Sequence, residues 1–303
     1  MNALEFQSVT KNFGNVRAVN NLTFSIPSGS IYGLLGPNGA GKTTSIRMLM
    51  QIILPDSGVI RTFGQDQNNG YLDRIGYLPE ERGLYRKMKV KDVIAFFGEL
   101  HGLKTSEVRK RTNFWLDRFG LADWAERKVE ELSRGMQQKL QFIITIFHEP
   151  DLIILDEPFT GLDPVNAQVV KDTILEERKR GTTIIFSTHL MEQVEKLCDR
   201  ICLMNKGRAI LEGKIQDIKQ KFGKNHVIVS YKGDSGFLSD PSIQSYNDYG
   251  NYVEILLKPK ADPQELLKKI VKHAEVFRFE LVEPSMHEIF IETVQAPGGD
   301  KNE

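Results

Sequence analysis

Four short stretches hold residues whose types and spacing suit phosphate chemistry. Gly36-Pro37-Asn38-Gly39-Ala40-Gly41-Lys42-Thr43 fits G-x-x-x-x-G-K-[ST] and continues into Thr44, with an apolar run before it and a helical pattern after it. Glycines at those positions let backbone amides curl around a phosphate, and the helix that follows adds its positive end. In such a loop Lys42 reaches the β- and γ-phosphates of a nucleotide, and the Thr43 hydroxyl is placed to ligate magnesium. Residues 152–158 read LIILDEP, an apolar run ending in two carboxylates. Neighbours on a strand point to opposite sides, so Asp156 and Glu157 are expected to do different jobs. Asp156 suits a magnesium shell, and Glu157 suits polarising an attacking water. His189 closes a third apolar run, IIFSTHL. In LSRGM (132–136), Ser133 and Gly135 open a helical pattern and make a second place to hold an anion, although one nucleotide needs only one.

Each stretch also has a plain structural reading: a glycine turn before a helix, a helix cap, a histidine that only packs. Three strand ends carrying Lys, Glu and His in one parallel sheet favour the chemical reading, because ligands bind at the carboxyl edge of such sheets.

The elements that must position these groups follow from periodicity. IYGLLG (31–36), LIILD (152–156) and TTIIFS (182–187) are continuously apolar and read as fully buried strands, each followed by a helical pattern. That order predicts a mostly parallel α/β sheet covered on both faces. LEFQSV and LTFSIP alternate more and predict an antiparallel flank. Residues 89–148 show helical periodicity with almost no strand signal, which predicts a helical subdomain inserted into a first domain of residues 1–218. Beyond Phe222, HVIVSY, YVEILLKP and VFRFELVEP alternate as half-buried antiparallel strands, and PQELLKKIVKHA (263–274) is an amphipathic helix. A small α+β domain is therefore expected over 222–294, followed by a disordered tail over 295–303.

Composition bounds the rest. The chain has 303 residues, 40 basic and 40 acidic side chains and a formal net charge of zero, enough for about two domains. A neutral balance gives no support for a nucleic-acid partner, which usually shows as basic excess. Two cysteines, Cys198 and Cys202, make no disulfide framework and are expected to pack in a reducing compartment. The N-terminus lacks the pattern of a secretory signal, and no run approaches the ~18 apolar residues of a membrane span. Any membrane role is expected to come through a partner.

With these residues in place, the chain resembles the ATP-binding subunit of ABC transporters over residues 4 to about 218. GPNGAGKTT is similar to the Walker A loop of that family, LIILDEP to its Walker B, LSRGM to its signature loop, TGLD (160–163) to its D-loop, and His189 to its switch histidine. The resemblance implies a P-loop NTPase of ABC type plus a small C-terminal α+β domain. It implies ATP and Mg2+ as ligands, Phe13 stacking on adenine, and Asp163 at the nucleotide. It also implies two such domains meeting head to tail, homo- or heterodimeric, with Ser133 and Gly135 of one covering the ATP held by the other. This is its answer to the second anion loop. A separate transmembrane permease would receive the work at the cytoplasmic face of the membrane, through a groove that includes Tyr85, Phe96 and Phe97. Arg134 and Met136 depart from the common LSGGQ, a variant that resembles the sodium-extrusion and drug-export subgroup. Glu80, in GYLPEERGLY (76–85), stands where the family has Gln near the metal, and an ion pair of Glu81 or Glu80 with Arg82 is expected to offset its charge. Which of Glu80 and Glu81 faces the site stays open at this level. So do two other readings: a soluble ATP-dependent switch of the same fold, and a binding-only half-site paired with an active subunit.

Overall fold

A computed structural model describes residues 1–66, 71–81, 83–223 and 225–295. Arg82 and the end of the tail, 296–303, lie outside the described residues, and with them the ion pair and the disorder expected there. The chain forms two units, Met1–Gly213 and Lys214–Glu303, dividing ahead of the expected residue 218.

In the first unit, β1 (Asn2–Phe13) and β2 (Val16–Pro27) form an antiparallel hairpin, and β3 (Ile31–Leu35) runs into α1 (Lys42–Leu49). β4 (Ser57–Thr62) and β5 (Gln65–Asp66) complete the antiparallel flank in the order β2-β1-β4-β5. β6 (Ile75–Leu78) is followed by three helices: α2 (Val90–Leu100), α3 (Thr105–Arg118) and α4 (Arg134–Ile146). Then come β7 (Leu152–Asp156), α5 (Pro164–Lys179), β8 (Thr183–Thr188), α6 (Met191–Leu197), β9 (Arg200–Asn205) and β10 (Arg208–Lys214). The second sheet has the order β10-β9-β3-β8-β7-β6, and its β9-β3-β8-β7-β6 pairings are parallel. Every residue of β3, β7 and β8 is buried, which is why these strands read as unbroken apolar runs. Leu4, Phe6 and Phe24 of the antiparallel sheet share a core with Leu34, Ile154 and Ile185 of the parallel one and with Ile46 and Leu49 of α1. This packing holds the start of α1 against the carboxyl ends of β3, β7 and β8. Cys198 and Cys202 are buried free thiols, and burial raises both well above the usual thiol range.

The second unit opens with α7 (Ile215–Phe222), then β11 (His226–Gly233), β12 (Ile243–Asp248), β13 (Val253–Leu257), α8 (Pro263–Ile270), β14 (Ala274–Val282) and α9 (Met286–Gln295). Its sheet has the order β12-β13-β11-β14, antiparallel throughout. β12 escapes a reading by pattern because IQSYND is polar and exposed beyond its first residue. α8 is capped by Asp262, which accepts from the Gln264 amide at 2.9 Å, and it presses Leu266 and Ile270 onto Val227, Val229 and Ile255. Ser285 and Glu288 form a reciprocal cap at the start of α9, with Ser285 N donating to Glu288 Oε2 at 2.6 Å and Glu288 N to Ser285 Oγ at 3.2 Å.

Candidate active site

The loop between β3 and α1 is shaped by its glycines. Gly36, Gly39 and Gly41 have φ of +146°, +79° and +101°, a region that L side chains rarely adopt. At Gly41 a Cβ would also fall 2.5 Å from the Ala18 carbonyl oxygen. Lys42 folds back over this loop: its Nζ donates to the carbonyls of Gly36 at 2.7 Å and Pro37 at 3.1 Å. Burial lowers the Lys42 pKa, against the opposing pull of Glu157, Asp156 and Glu80.

Above the loop lies a cavity of about 640 Å3 lined by Asn38, Gly39, Ala40, Gly41, Lys42, Thr43, Thr44, Glu80, Asp156, Glu157 and His189. The strand ends named from sequence therefore converge here. The expectation that Asp156 and Glu157 point apart needs correcting. Glu157 has left the strand with φ +51°, so alternation no longer governs it, and both carboxylates line the same cavity. Glu157 Oε1 accepts from His189 N at 3.0 Å and lies 2.6 Å from His189 Nδ1, while its Oε2 accepts from Thr188 Oγ1 at 3.0 Å. Because a carboxylate only accepts, His189 carries its proton on Nδ1 in this pairing. Glu80 lines the cavity and Glu81 does not.

Thr43 Oγ1 lies 3.4 Å from Asp156 Oδ2. Burial raises the Asp156 pKa, and the nearby carboxylates of Glu80 and Glu157 raise it further. A hydroxyl beside a buried, crowded carboxylate fits a magnesium ion, which prefers oxygen ligands and keeps some of its shell for water and phosphate. Among the described residues no group of three or more His, Cys, Asp or Glu is placed to hold a metal ion by itself.

Four lining residues escaped the sequence reading: Val16, Arg17, Ala18 and Lys206. Val16 to Ala18 open β2 and Lys206 follows β9, so only tertiary folding brings them to the loop. Phe13 is not among the lining residues; it is half exposed, with Val16 as its cross-strand partner.

Ser133, Gly135 and Asp163 do not line this cavity either. Ser133 is exposed and caps α4, accepting from the Met136 amide at 3.3 Å. Asp163 caps α5, accepting from the Asn166 amide at 2.9 Å, and hydrogen bonds from Asn166 lower its pKa. The two loops meet: a Cβ on Gly135 would lie 3.1 Å from the Gly161 carbonyl oxygen. Gln138 of α4, buried, donates to the Pro158 carbonyl at 3.2 Å, one residue past Glu157. The signature-like loop is thus braced against the chain that leaves the site, while Ser133 faces solvent.

Comparison with known proteins agrees with this geometry. The family profile described as ABC transporter matches residues 19–160, and that described as ATP-binding protein DrrA1-3-like, C-terminal domain, matches 213–294. The chain is 42% identical over 294 residues to the ABC transporter ATP-binding protein YhaQ of Bacillus subtilis (strain 168), covering 97% of this chain and 99% of that protein. It is 31% identical to the daunorubicin/doxorubicin resistance ATP-binding protein DrrA of Streptomyces peucetius, covering 99% of this chain and 94% of that one. A solved ATP-binding subunit of an ABC transporter superposes with a TM-score of 0.69 at 29% identity, over 73% of this chain and 93% of its own. Its fold, its loop and its relatives together make this chain a member of the ABC transporter ATP-binding proteins, the family that binds and hydrolyses ATP to drive transport.

Proposed function

We propose that the cavity over Lys42 is the hydrolytic site and that the chain works as one half of an ATP-held pair. The observation that carries this reading is Glu157, held at both oxygens by His189 and Thr188 and sharing one cavity with Lys42, Thr43 and Asp156. The loop amides of residues 37–44 cradle the phosphates, and Lys42 leaves the Gly36 and Pro37 carbonyls for the β- and γ-oxygens. Phe13 closes over the adenine from the edge of the cavity. Thr43 and Asp156, with Glu80 beside them, would hold a magnesium ion, whose positive charge would offset charge on the phosphates. Glu157 takes a proton from the attacking water while His189 fixes the carboxylate's orientation. The water oxygen bonds to the γ-phosphorus, the bond to the β-phosphate oxygen breaks, and ADP and phosphate leave.

Ser133, exposed, and Gly135, half-buried beside the Gly161 carbonyl, lie outside the chain's own cavity and would cover the γ-phosphate of a second subunit, with Asp163 at the same seam. ATP then joins two subunits and its hydrolysis releases them. Family membership brings a transmembrane permease as partner. Among the described residues no helix is long and apolar enough to cross a membrane. We place the chain at the cytoplasmic face, with Tyr85, Phe96 and Phe97 receiving the permease. These three rings form one cluster, with centroids 5.4 to 6.1 Å apart, and Tyr85 and Phe96 stay 50% and 41% exposed. The relative named for drug resistance, alike over the whole chain, supports export.

The test is Glu157→Gln. Its hydrolysis rate should fall by about 10²- to 10⁴-fold while ATP binding persists, and its mass in solution should double on adding ATP. A variant that hydrolyses normally would sink the assignment of the base. One that binds ATP and stays monomeric would sink the homodimeric reading.

A further inference from the structure

Lys139 lies within α4 and is only 7% exposed, yet its ammonium bonds to neutral groups. Its Nζ donates to the Phe119 carbonyl at the end of α3 at 2.6 Å and to Asn166 Oδ1 of α5 at 3.1 Å. Burial lowers the Lys139 pKa, and the Asp163 carboxylate pulls it back. A buried ammonium bonded to neutral oxygens costs free energy that an apolar side chain of similar length, such as methionine, does not. What the ammonium alone supplies is direction.

The Asn166 side chain has one accepting and one donating end, and its two neighbours each take only one of them. An ammonium only donates and a carboxylate only accepts, so Oδ1 must face Lys139 and Nδ2 must face Asp163. The structure has this arrangement: Asn166 Nδ2 donates to Asp163 Oδ2, and the Asn166 backbone amide donates to Asp163 Oδ1 at 2.9 Å. Both oxygens of Asp163 are held by one residue, and Lys139 orients that residue's side chain. Capping α5 needs only the backbone bond. The side-chain bond and the buried cation behind it go further, and they tie α4, which Ser133 caps, to the loop that follows Glu157.

We propose that Lys139 is a positioning residue for ATP hydrolysis: through Asn166 it fixes the Asp163 carboxylate for the seam between two subunits. This rests on the paired reading given above, in which Asp163 stands at that seam. Asp163 does not line the chain's own cavity, so the relay acts on turnover and not on nucleotide binding by the single subunit.

Asn166→Asp in the full chain separates positioning from packing. A carboxylate there still accepts from Lys139, so the contact between α4 and α5 persists, but it repels Asp163 where the amide donated. Hydrolysis should fall by about tenfold to a hundredfold, with the chain folded by thermal melt and its ATP affinity unchanged. Lys139→Met should give the same loss, and Lys139→Arg, which also only donates, should recover the rate. In both Asn166→Asp and Lys139→Met the NMR titration of the Asp163 carboxyl should shift upward, since a donor or a cation is lost. A folded Asn166→Asp chain that hydrolyses ATP at the wild-type rate would overturn the proposal, as would an unshifted Asp163 titration in Lys139→Met. The mass of Glu157→Gln with ATP tells the two failures apart. If it pairs while Asn166→Asp hydrolyses normally, the relay alone fails; if it stays monomeric, the seam fails and the proposal falls with it.

Discussion

Glu157 sits in a left-handed conformation that an unbranched non-glycine residue adopts only when its surroundings demand it. Here three donors on Thr188 and His189 impose it, and the result is a carboxylate aimed into the cavity, away from the alternation of β7. That departure was not legible in LIILDEP, because alternation is a property of regular strands and says nothing about the residue after one. The identities of Lys42, Thr43, Asp156 and His189 were legible, since local spacing sets them at strand ends. Arg17 and Lys206 were not, since distant turns deliver them. Glu80 adds a third carboxylate beside Asp156 and Glu157 in the cavity proposed to take the polyphosphate. Glu80→Gln should therefore tighten metal-free ATP binding by about threefold to tenfold, the scale of one partly screened charge. Glu81→Gln, outside the cavity, should leave it unchanged. Fluorescent-nucleotide titration in chelator distinguishes the two.

The elements around the site divide by how local their determinants are. The phosphate loop was readable to the residue because its glycines answer to backbone geometry. Gly41→Ala meets both a φ of +101° and the Ala18 carbonyl at 2.5 Å, and should abolish measurable ATP binding. Gly39→Ala meets open space at φ +79° and should cost only about 1–2 kcal/mol; paired nucleotide titrations and thermal melts separate these outcomes. β12 shows the opposite case: its polar run becomes a strand only because β13 pairs with it. α9 is held by Glu288. Burial would raise its pKa, but bonds from His226 and Ser285 outweigh that and lower it from 4.5 to about 2. A depressed carboxyl stabilises fully above its unfolded value, and the contribution fades as pH falls from 4.5 toward 2. Glu288→Gln should cost the C-terminal unit about 1–3 kcal/mol at pH 7. Amide exchange across α9 should show that gap closing toward pH 2.

At the scale of the whole molecule, the order of motifs pointed to two anion loops and therefore to a second copy, yet one chain shows only where each loop sits. The sequence could not say how the loops are joined inside the chain. Gln138 spans from the signature-like helix to Pro158, and Gly135 lies against Gly161. In mechanical terms this is a strut: the loop proposed to grip a neighbour's phosphate is braced to the segment that follows Glu157, the proposed base. A pull on Ser133 then reaches Glu157 without passing through the nucleotide bound beside it. Two subunits joined in this way would read each other's occupancy. Their ATPase rate should rise with ATP more steeply than independent sites allow, with a Hill coefficient between about 1 and 2. Gln138→Ala cuts the strut. It should bring that coefficient back toward about 1 while the isolated subunit binds ATP as before.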